Sequence, residues 1–181
     1  MKATYCFLLI AWFSCNCYCQ SVKNTSYKNS ADEKVLRLEM IVPLDLKKTW
    51  QLFSVDSQLQ KWIAPVAHME LKTGGAIVTN YDSTKKLTDS TSITVPIINF
   101  IENEMITLKV NLNGYFTKNA RDTDENLQEI IQFQKIDNKH TKIISSMVGF
   151  GKGEDWDKTY AFFLKGNEWT YNELLKIFKS K

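Results

Sequence analysis

Few side chains in this sequence are of the types that carry out nucleophilic or acid–base chemistry. The only histidines are His68 and His140, and the cysteines all lie near the N-terminus, at positions 6, 15, 17 and 19. His68 lies on the polar side of a predicted strand and His140 in a predicted turn, so we expect both at the surface. A nucleophile needs a base beside it. The sequence therefore predicts no catalytic residue, and no cofactor is expected.

Two short motifs imitate ligand-binding loops but lack residues that those loops require. The segment 149–153 (GFGKG) follows a predicted strand, yet a dinucleotide-binding loop would need glycine at the next position, which is Glu154. The segment 122–126 (DTDEN) resembles the start of a calcium loop, but Leu127 stands where that loop needs glycine. We interpret the first segment as a flexible turn and the second as a solvated loop. The sequence predicts no metal site.

The first nineteen residues have the pattern of a secretory signal peptide. Lys2 supplies the positive start, the stretch from Tyr5 to Phe13 is apolar, and small or polar residues follow. The apolar stretch is too short to span a bilayer. We predict a signal peptide at 1–19, cleaved before Gln20, which would make the mature protein periplasmic or secreted and free of cysteine. The alternative is a lipoprotein anchored through an N-terminal cysteine.

Composition favours one domain and argues against a nucleic-acid partner. The chain has 181 residues, of which 44% are apolar, and these suffice for a single core. Lysine and arginine number 23 against 20 aspartate and glutamate. The lysine pairs at 47–48 and 85–86 are far apart in the sequence, and the C-terminal lysines suit the end of a helix. No continuous basic stripe of the kind that binds nucleic acid is present.

Apolar periodicity divides the remaining chain into a tether and one domain. Residues 20–34 are polar and show no period, so we predict a flexible tether before a single domain at 35–181. Asp45 can cap a first short helix, and a second short helix follows Asp56 and ends before Pro65. The strand that opens the domain has one wholly apolar face, formed by Leu36, Leu38, Met40 and Val42.

Alternating strands occupy the middle of the chain and a helix its end. Polar loops are predicted at 83–90 and 115–126, and Pro96 predicts a bulge or an edge position in its strand. An apolar stripe at helical spacing runs from about Glu154 to Lys179. A stop signal at Gly166 and Asn167 precedes a capping box formed by Thr170 and Glu173. We expect either one kinked helix or two helices in tandem.

The order of these elements, and four motifs along it, resemble the helix-grip fold of the START-like (SRPBCC) superfamily. The motifs are Val42-Pro43 followed by Asp45 and Trp50, the segment 60–65 (QKWIAP), the pair Gly74-Gly75, and the segment 166–169 (GNEW). They are most similar to the branch named for homologues of the activator of heat-shock-protein-90 ATPase. The resemblance covers residues 35–178.

The resemblance implies an α+β fold. It would have a curved antiparallel sheet of about six to seven strands, two short helices after the first strand, and a C-terminal helix packed on the sheet. A curved sheet that grips one helix tends to leave an apolar gap. We expect the gap to be lined from the sheet and the helix, with Tyr81 and Tyr160 as orienting hydroxyls. The predicted lining residues are Leu38, Met40, Tyr81, Ile106, Leu108, Val110, Tyr160, Phe163 and Leu164.

Three functions are compatible with this interpretation. The first is an exported, non-catalytic protein that binds an apolar small molecule or a lipid in the gap. The second is an enzyme of the polyketide-cyclase type, which would need a polar cluster in the cavity, such as Tyr81 with Tyr160. The third is a co-chaperone-like interaction module for a protein client, which would need a large exposed apolar patch.

Overall fold

The computed structural model describes residues 21–179, which form an antiparallel sheet and four helices. The strands are β1 Lys23–Asn24, β2 Tyr27–Lys28, β3 Lys34–Val42, β4 Val66–Met69, β5 Ala76–Asn80, β6 Ile93–Ile101, β7 Met105–Lys109, β8 Gln128–Lys135 and β9 Thr141–Val148. The helices are α1 Leu46–Ser54, α2 Asp56–Leu59, α3 Lys118–Asp122 and α4 Glu154–Lys176. This is the predicted α+β, helix-grip architecture, with more strands than the expected six to seven.

The sheet is an antiparallel meander closed by its first long strand. Strands β4 to β9 follow one another in space as they do in sequence, and β3 lies beside β9. The β3–β9 register runs from Leu36 opposite Met147 to Val42 opposite Thr141. The inner face of β3 carries Leu36, Leu38, Met40 and Val42, all buried as the alternation predicts. The first long strand, β3, and the last strand, β9, are therefore paired side by side, and both contribute buried side chains to the core.

Helices α1 and α2 cover one end of the inner face. The Asp45 carboxylate accepts a hydrogen bond from the Lys48 backbone amide at 2.9 Å, which confirms the predicted helix cap. The Trp62 indole donates to the Leu52 carbonyl at 3.0 Å. Phe53 packs against Trp62 and against Phe133 of β8, with ring centroids 4.9 and 5.0 Å apart. These contacts join the helices to the sheet.

The segment expected to be a flexible tether contributes two short strands. β1 pairs with β3 through Lys23 opposite Glu39, and β2 pairs with the same strand through Tyr27 opposite Val35. The Ser26 hydroxyl also accepts a hydrogen bond from the Arg37 amide at 3.0 Å. The sequence does not predict this pairing because an exposed edge strand is held by backbone hydrogen bonds, which require no apolar period.

Two local details of the strand region differ from, or refine, the sequence interpretation. The loop at 115–126 contains the short helix α3, whose cap is Thr117 and whose Ala120 is buried. Pro96 lies in the interior strand β6, opposite Ala76 of β5, and the β6–β7 register shifts directly after it, between Ile97 and Asn99. The bulge that a proline in this strand requires is therefore present.

Helix α4 is one continuous helix of 23 residues, so the alternative of two helices in tandem is wrong. A single glycine costs a helix only about 1 kcal/mol, and buried side chains hold α4 to the core on both sides of it. These are Trp156, Tyr171, Leu174 and Leu175. Thr170 and Glu173 lie inside the helix, so they do not act as a capping box. Within residues 21–179, no helix combines the length and apolarity needed to cross a bilayer.

Replacing Gly166 by alanine should stabilise the protein by about 0.5–1 kcal/mol, because alanine is the better helix former. A Cβ added at this position meets no atom within 4 Å. The matched control is Gly149→Ala, which should destabilise, because Gly149 has φ +87° and its Cβ would lie 2.1 Å from the Asn126 carbonyl oxygen. Urea unfolding of both variants measures the effect. A destabilised Gly166→Ala variant would contradict a continuous helix.

Candidate functional site

Two adjoining cavities lie between the sheet and α4. The inner cavity has a volume of about 220 Å³ and the outer cavity a volume of about 490 Å³. Their lining comes from strands β5 to β9, the segment after β7 and helix α4, with Trp62 and its neighbours closing the inner end. Seven residues line both cavities, namely Tyr81, Ile93, Val95, Glu129, Phe163, Asn167 and Thr170. The two spaces are therefore one continuous site.

Most of the lining is apolar, and the outer cavity opens between exposed aromatic side chains. The inner part includes Ile77, Leu108 and Ile131. At the outer end, Tyr115, Phe162 and Trp169 are 91%, 57% and 53% exposed. We call these three residues, together with Tyr81, the mouth. Soluble proteins seldom expose several aromatic side chains together without a binding role.

Four of the nine predicted lining residues lie where the sequence placed them: Tyr81, Leu108, Val110 and Phe163 line one or both cavities. Leu38, Met40 and Ile106 do not, because they are packed in the core and have almost no exposed surface. Strand parity predicts correctly that these three side chains point inward. Strand parity does not predict which inward side chains are packed against other side chains and which line a cavity.

The two remaining predictions on α4 also lie outside the cavities. Leu164 packs against the core, and the Tyr160 ring contacts Phe150 with centroids 5.1 Å apart. The Lys34 ammonium lies 5.4 Å from the centroid of the Tyr160 ring. Tyr81 lines both cavities and Tyr160 lines neither, so the polar cluster named as a requirement of a cyclase is not formed by these two residues. Helical spacing places Tyr160 on the apolar stripe, but the cavity begins further along the helix.

The polar centre of the site is Glu129 of β8, which the sequence interpretation missed. Its Oε1 accepts hydrogen bonds from the Ser145 hydroxyl of β9 at 2.6 Å and from the Tyr171 hydroxyl of α4 at 2.8 Å. A usable signal was present, because Glu129 has the same strand parity as the buried Ile131 and Phe133. An acidic residue at an inward strand position is the sequence feature that indicates this group.

Burial raises the pKa of the Glu129 carboxyl above its usual value, although the hydrogen bonds from Ser145 and Tyr171 act in the opposite direction. Burial and the nearby charge of Glu129 raise the pKa of the Tyr171 phenol well above 10.0. In the part of the chain that the structure describes, no lysine, arginine or histidine lines either cavity. A charge on Glu129 therefore has no counterion in the site, and the carboxyl can retain a proton at a higher pH than an exposed glutamate.

The neighbours of Glu129 are held in place by packing. The Tyr171 ring stacks on Trp62, with centroids 6.2 Å apart and an interplanar angle of 24°. The Asn167 amide lies 3.2 Å from the Met147 sulfur. Together with Thr170, these groups give the cavity a small number of convergent polar atoms in an apolar wall. That combination is characteristic of small-molecule sites.

The two loop motifs have structural roles. Asp124 pairs with Lys109 at 3.3 Å and accepts a hydrogen bond from the Leu127 amide at 2.9 Å. Gly151 lies against the Trp156 ring, where a Cβ would approach the indole nitrogen to 2.2 Å.

His68 is exposed, as predicted, with its Nδ1 atom 2.7 Å from Asp56. Among residues 21–179, no group of three or more metal-ligating side chains occurs.

The fold and its cavity define a helix-grip protein of the START-like (SRPBCC) superfamily. The model of the Activator of Hsp90 ATPase homolog 1-like protein family matches residues 44–179, and the chain belongs to this family. The resemblance stated from the sequence motifs is therefore confirmed. Among curated proteins, none matches the chain significantly in sequence.

Solved structures share the fold at low sequence identity. EF2215 from Enterococcus faecalis, a conserved protein of unknown function, has a TM-score of 0.62 and 12% identity, over 86% of this chain and 76% of that one. CalU16 from Micromonospora echinospora has a TM-score of 0.59 and 9% identity, over 89% and 84%. Ms6760 from Mycobacterium smegmatis has a TM-score of 0.59 and 15% identity, over 88% and 98%. At such identities the likeness concerns the fold alone.

Replacing Glu129 by glutamine should change how stability depends on pH. Burial raises the pKa of Glu129 above the usual value of 4.5, which is expected in the unfolded chain. Between these two pKa values the folded state binds more protons, so the free energy of unfolding of the wild type falls as pH rises through this window. Glu129→Gln does not titrate and lacks that fall. Urea unfolding over a pH series measures the difference between the two proteins.

The difference between Glu129→Gln and wild type should be smallest in acid and should then increase in favour of the variant. Other carboxyls, such as Glu39, whose pKa is lowered mainly by its hydrogen bond with Lys142, contribute equally to both proteins and cancel. A difference that stays constant with pH would show that the folded protein does not raise the pKa of Glu129.

Proposed function

We propose that this protein is an exported, non-catalytic binding protein that holds an apolar small molecule or a lipid in the space between its sheet and α4. The observation that carries the proposal is the outer cavity of about 490 Å³, which side chains do not fill. Its volume lies within the roughly 300–1,000 Å³ typical of ligand pockets. The superfamily fold supports a binding role, since a sheet that wraps one helix can form such a cavity.

The chemistry of the walls supports an apolar ligand. Ile93, Val95 and Phe163 line both cavities, so a ligand that spans them would contact aliphatic and aromatic surface along its length. Burial of such surface stabilises a complex by about 25 cal/mol per Å² before the cost of association is subtracted. The aromatic mouth gives an apolar molecule a path from solvent to the cavity.

Gly166 offers a way to close the cavity without disturbing the core. It lines the outer cavity, and Phe162, Phe163, Trp169 and Thr170, one turn before and after it, do so as well. A side chain added here enters open space, since its Cβ would meet nothing within 4 Å. We therefore expect the side chain of Gly166→Leu to occupy part of the outer cavity from the helix side, and Gly166→Ala is the matched control for helix propensity.

We expect wild type and Gly166→Ala to bind the neutral fluorescent probe N-phenyl-1-naphthylamine. Gly166→Leu should bind it at least about tenfold more weakly, a loss of about 1.4 kcal/mol, and should remain as stable as wild type in urea. Fluorescence titration measures the affinity. Mass spectrometry of the solvent extract of the purified wild-type protein would identify a natural ligand. Equal probe binding by wild type and Gly166→Leu would overturn the proposed site.

Export stays a prediction, because the signal peptide and all four cysteines lie outside the described residues. The intact mass of protein recovered from the cell envelope tests it. A chain that begins at Gln20 supports cleavage by signal peptidase. A chain that begins at one of the cysteines with an added lipid mass supports the lipoprotein alternative.

An enzyme of the polyketide-cyclase type is the second candidate, and Glu129 is the observation that favours it. A carboxyl with a raised pKa in an apolar cavity, hydrogen-bonded to Tyr171, has the properties of a general acid. The two functions differ in what happens to the bound molecule. A binding protein returns it with its mass unchanged, and a cyclase returns a product that has lost water.

A co-chaperone-like interaction with a protein client is the third candidate, and the exposed mouth favours it. A client would contact Tyr115, Phe162 and Trp169 from outside. Gly166→Leu separates this function from ligand binding, because it fills the cavity and leaves those exposed rings in place. A client that binds wild type and Gly166→Leu equally would indicate the interaction module.

A further inference from the structure

We infer that Glu129 is held as a neutral carboxylic acid whose O–H group points into the cavity, and that the ligand is an apolar molecule with a carbonyl oxygen that accepts this hydrogen bond. The inference rests on the proposed binding function and names the chemical class of its ligand. It is carried by how hydrogen bonds are distributed over the two carboxyl oxygens and by the side chains that surround them.

The two protein donors meet on one oxygen. Both the Ser145 hydroxyl and the Tyr171 hydroxyl donate to Oε1, at 2.6 and 2.8 Å, and within the described residues no group donates to Oε2. In a carboxylic acid the carbonyl oxygen accepts hydrogen bonds and the hydroxyl oxygen donates one. For a neutral Glu129, this arrangement makes Oε1 the carbonyl oxygen and leaves the proton on Oε2.

The Oε2 atom is open to the cavity. Over residues 21–179, the buried side-chain atoms without a hydrogen-bond partner are Arg37 Nε and Asn103 Oδ1. Oε2 has no partner and is not one of these buried atoms, so it is accessible. Glu129 lines both cavities, at the point where they join. A ligand that occupies the site therefore meets Oε2 near its middle.

Among residues 21–179, no lysine, arginine or histidine lines the cavities that Glu129 faces. Its partners across the strands are Leu108 of β7 and Met147 of β9. The other titratable groups in the cavity lining are phenols: Tyr171 of α4, Tyr81 after β5, and Tyr115 of the mouth. An isolated carboxylate in such surroundings is costly, and the carboxyl keeps its proton instead. The raised pKa of Glu129 has the same cause.

A neutral acid and an ionised one select different ligands. The neutral acid donates a hydrogen bond and therefore pairs with an acceptor, such as the oxygen of a ketone or a quinone. An ionised carboxylate accepts hydrogen bonds and would pair with an amine or another cation.

The test compares two neutral fluorescent probes of similar size. Prodan, 6-propionyl-2-dimethylaminonaphthalene, carries a ketone, and N-phenyl-1-naphthylamine carries no carbonyl group. The titrations are repeated between about pH 5 and about pH 9, because Glu129 can no longer donate once the pH has passed its raised pKa and the proton is lost. We expect the affinity of the wild type for prodan to fall about tenfold over this range, the size of one hydrogen bond. The affinity for N-phenyl-1-naphthylamine should change less than the affinity for prodan, because this probe has no carbonyl oxygen to accept from the acid.

Glu129→Gln is the matched variant, because its amide oxygen can accept from Ser145 and Tyr171 while its NH₂ group donates into the cavity at every pH. We expect it to bind prodan over the whole pH range with no fall in affinity. Prodan emission reports the hydrogen bond directly, because its maximum shifts to longer wavelength when the ketone accepts one. If the variant does not fold, the pH dependence of prodan affinity in the wild type still tests whether Glu129 is a neutral donor.

The outcomes separate the two proposals. Prodan affinity that is independent of pH, or that rises with pH, while N-phenyl-1-naphthylamine still binds, overturns the neutral acid and leaves the binding cavity intact. Binding of neither probe at any pH overturns the cavity and the neutral acid together. A prodan-specific loss with rising pH that Glu129→Gln abolishes supports both.

Discussion

A single helix is too narrow to cover the inner face of this sheet, and the remaining features of the site depend on that mismatch. The continuous strand path contains eight strands. At about 4.8 Å between strands it is roughly 35 Å wide, whereas a helix with its side chains is about 10–12 Å across. Curvature of the sheet brings its ends toward α4, and α1 and α2 cover one end. Between β5–β9 and α4 the two layers meet at a few side chains, such as Tyr171 on Glu129, and the cavities occupy the space beside these contacts.

Two residues on the walls of that space depart from what stability alone favours. Gly166 lies in the interior of α4, where almost any other residue would form the helix better. Glu129 places an acidic group at an inward strand position, although neighbouring inward positions are apolar. Both residues line the outer cavity. Local departures of this kind are expected where a protein keeps a site rather than a filled core.

A ring stack and a hydrogen bond fix the position of the Glu129 carboxyl in the cavity wall. Trp62, which follows α2, stacks on Tyr171 of α4, and Tyr171 donates to Glu129 of β8. The polar group is thus positioned by three separate parts of the chain. Family membership and the solved structures define the fold at low identity. The chemical character of the cavity is set by the side chains that line it in this protein, and the shared fold does not determine them.

Local pattern was sufficient for much of the architecture. The alternation of Leu36 to Val42, the cap at Asp45 and the bulge beside Pro96 each depend on a few neighbouring residues, so the sequence by itself determined them. Tertiary structure alone decided the rest. Leu38 and Leu108 both point inward, yet only Leu108 meets the cavity, because the position of α4 depends on contacts along its whole length. Likewise, strand parity makes Glu129 an inward residue. Its partners Ser145 and Tyr171 are distant in the sequence, and only the folded sheet and helix bring them to it.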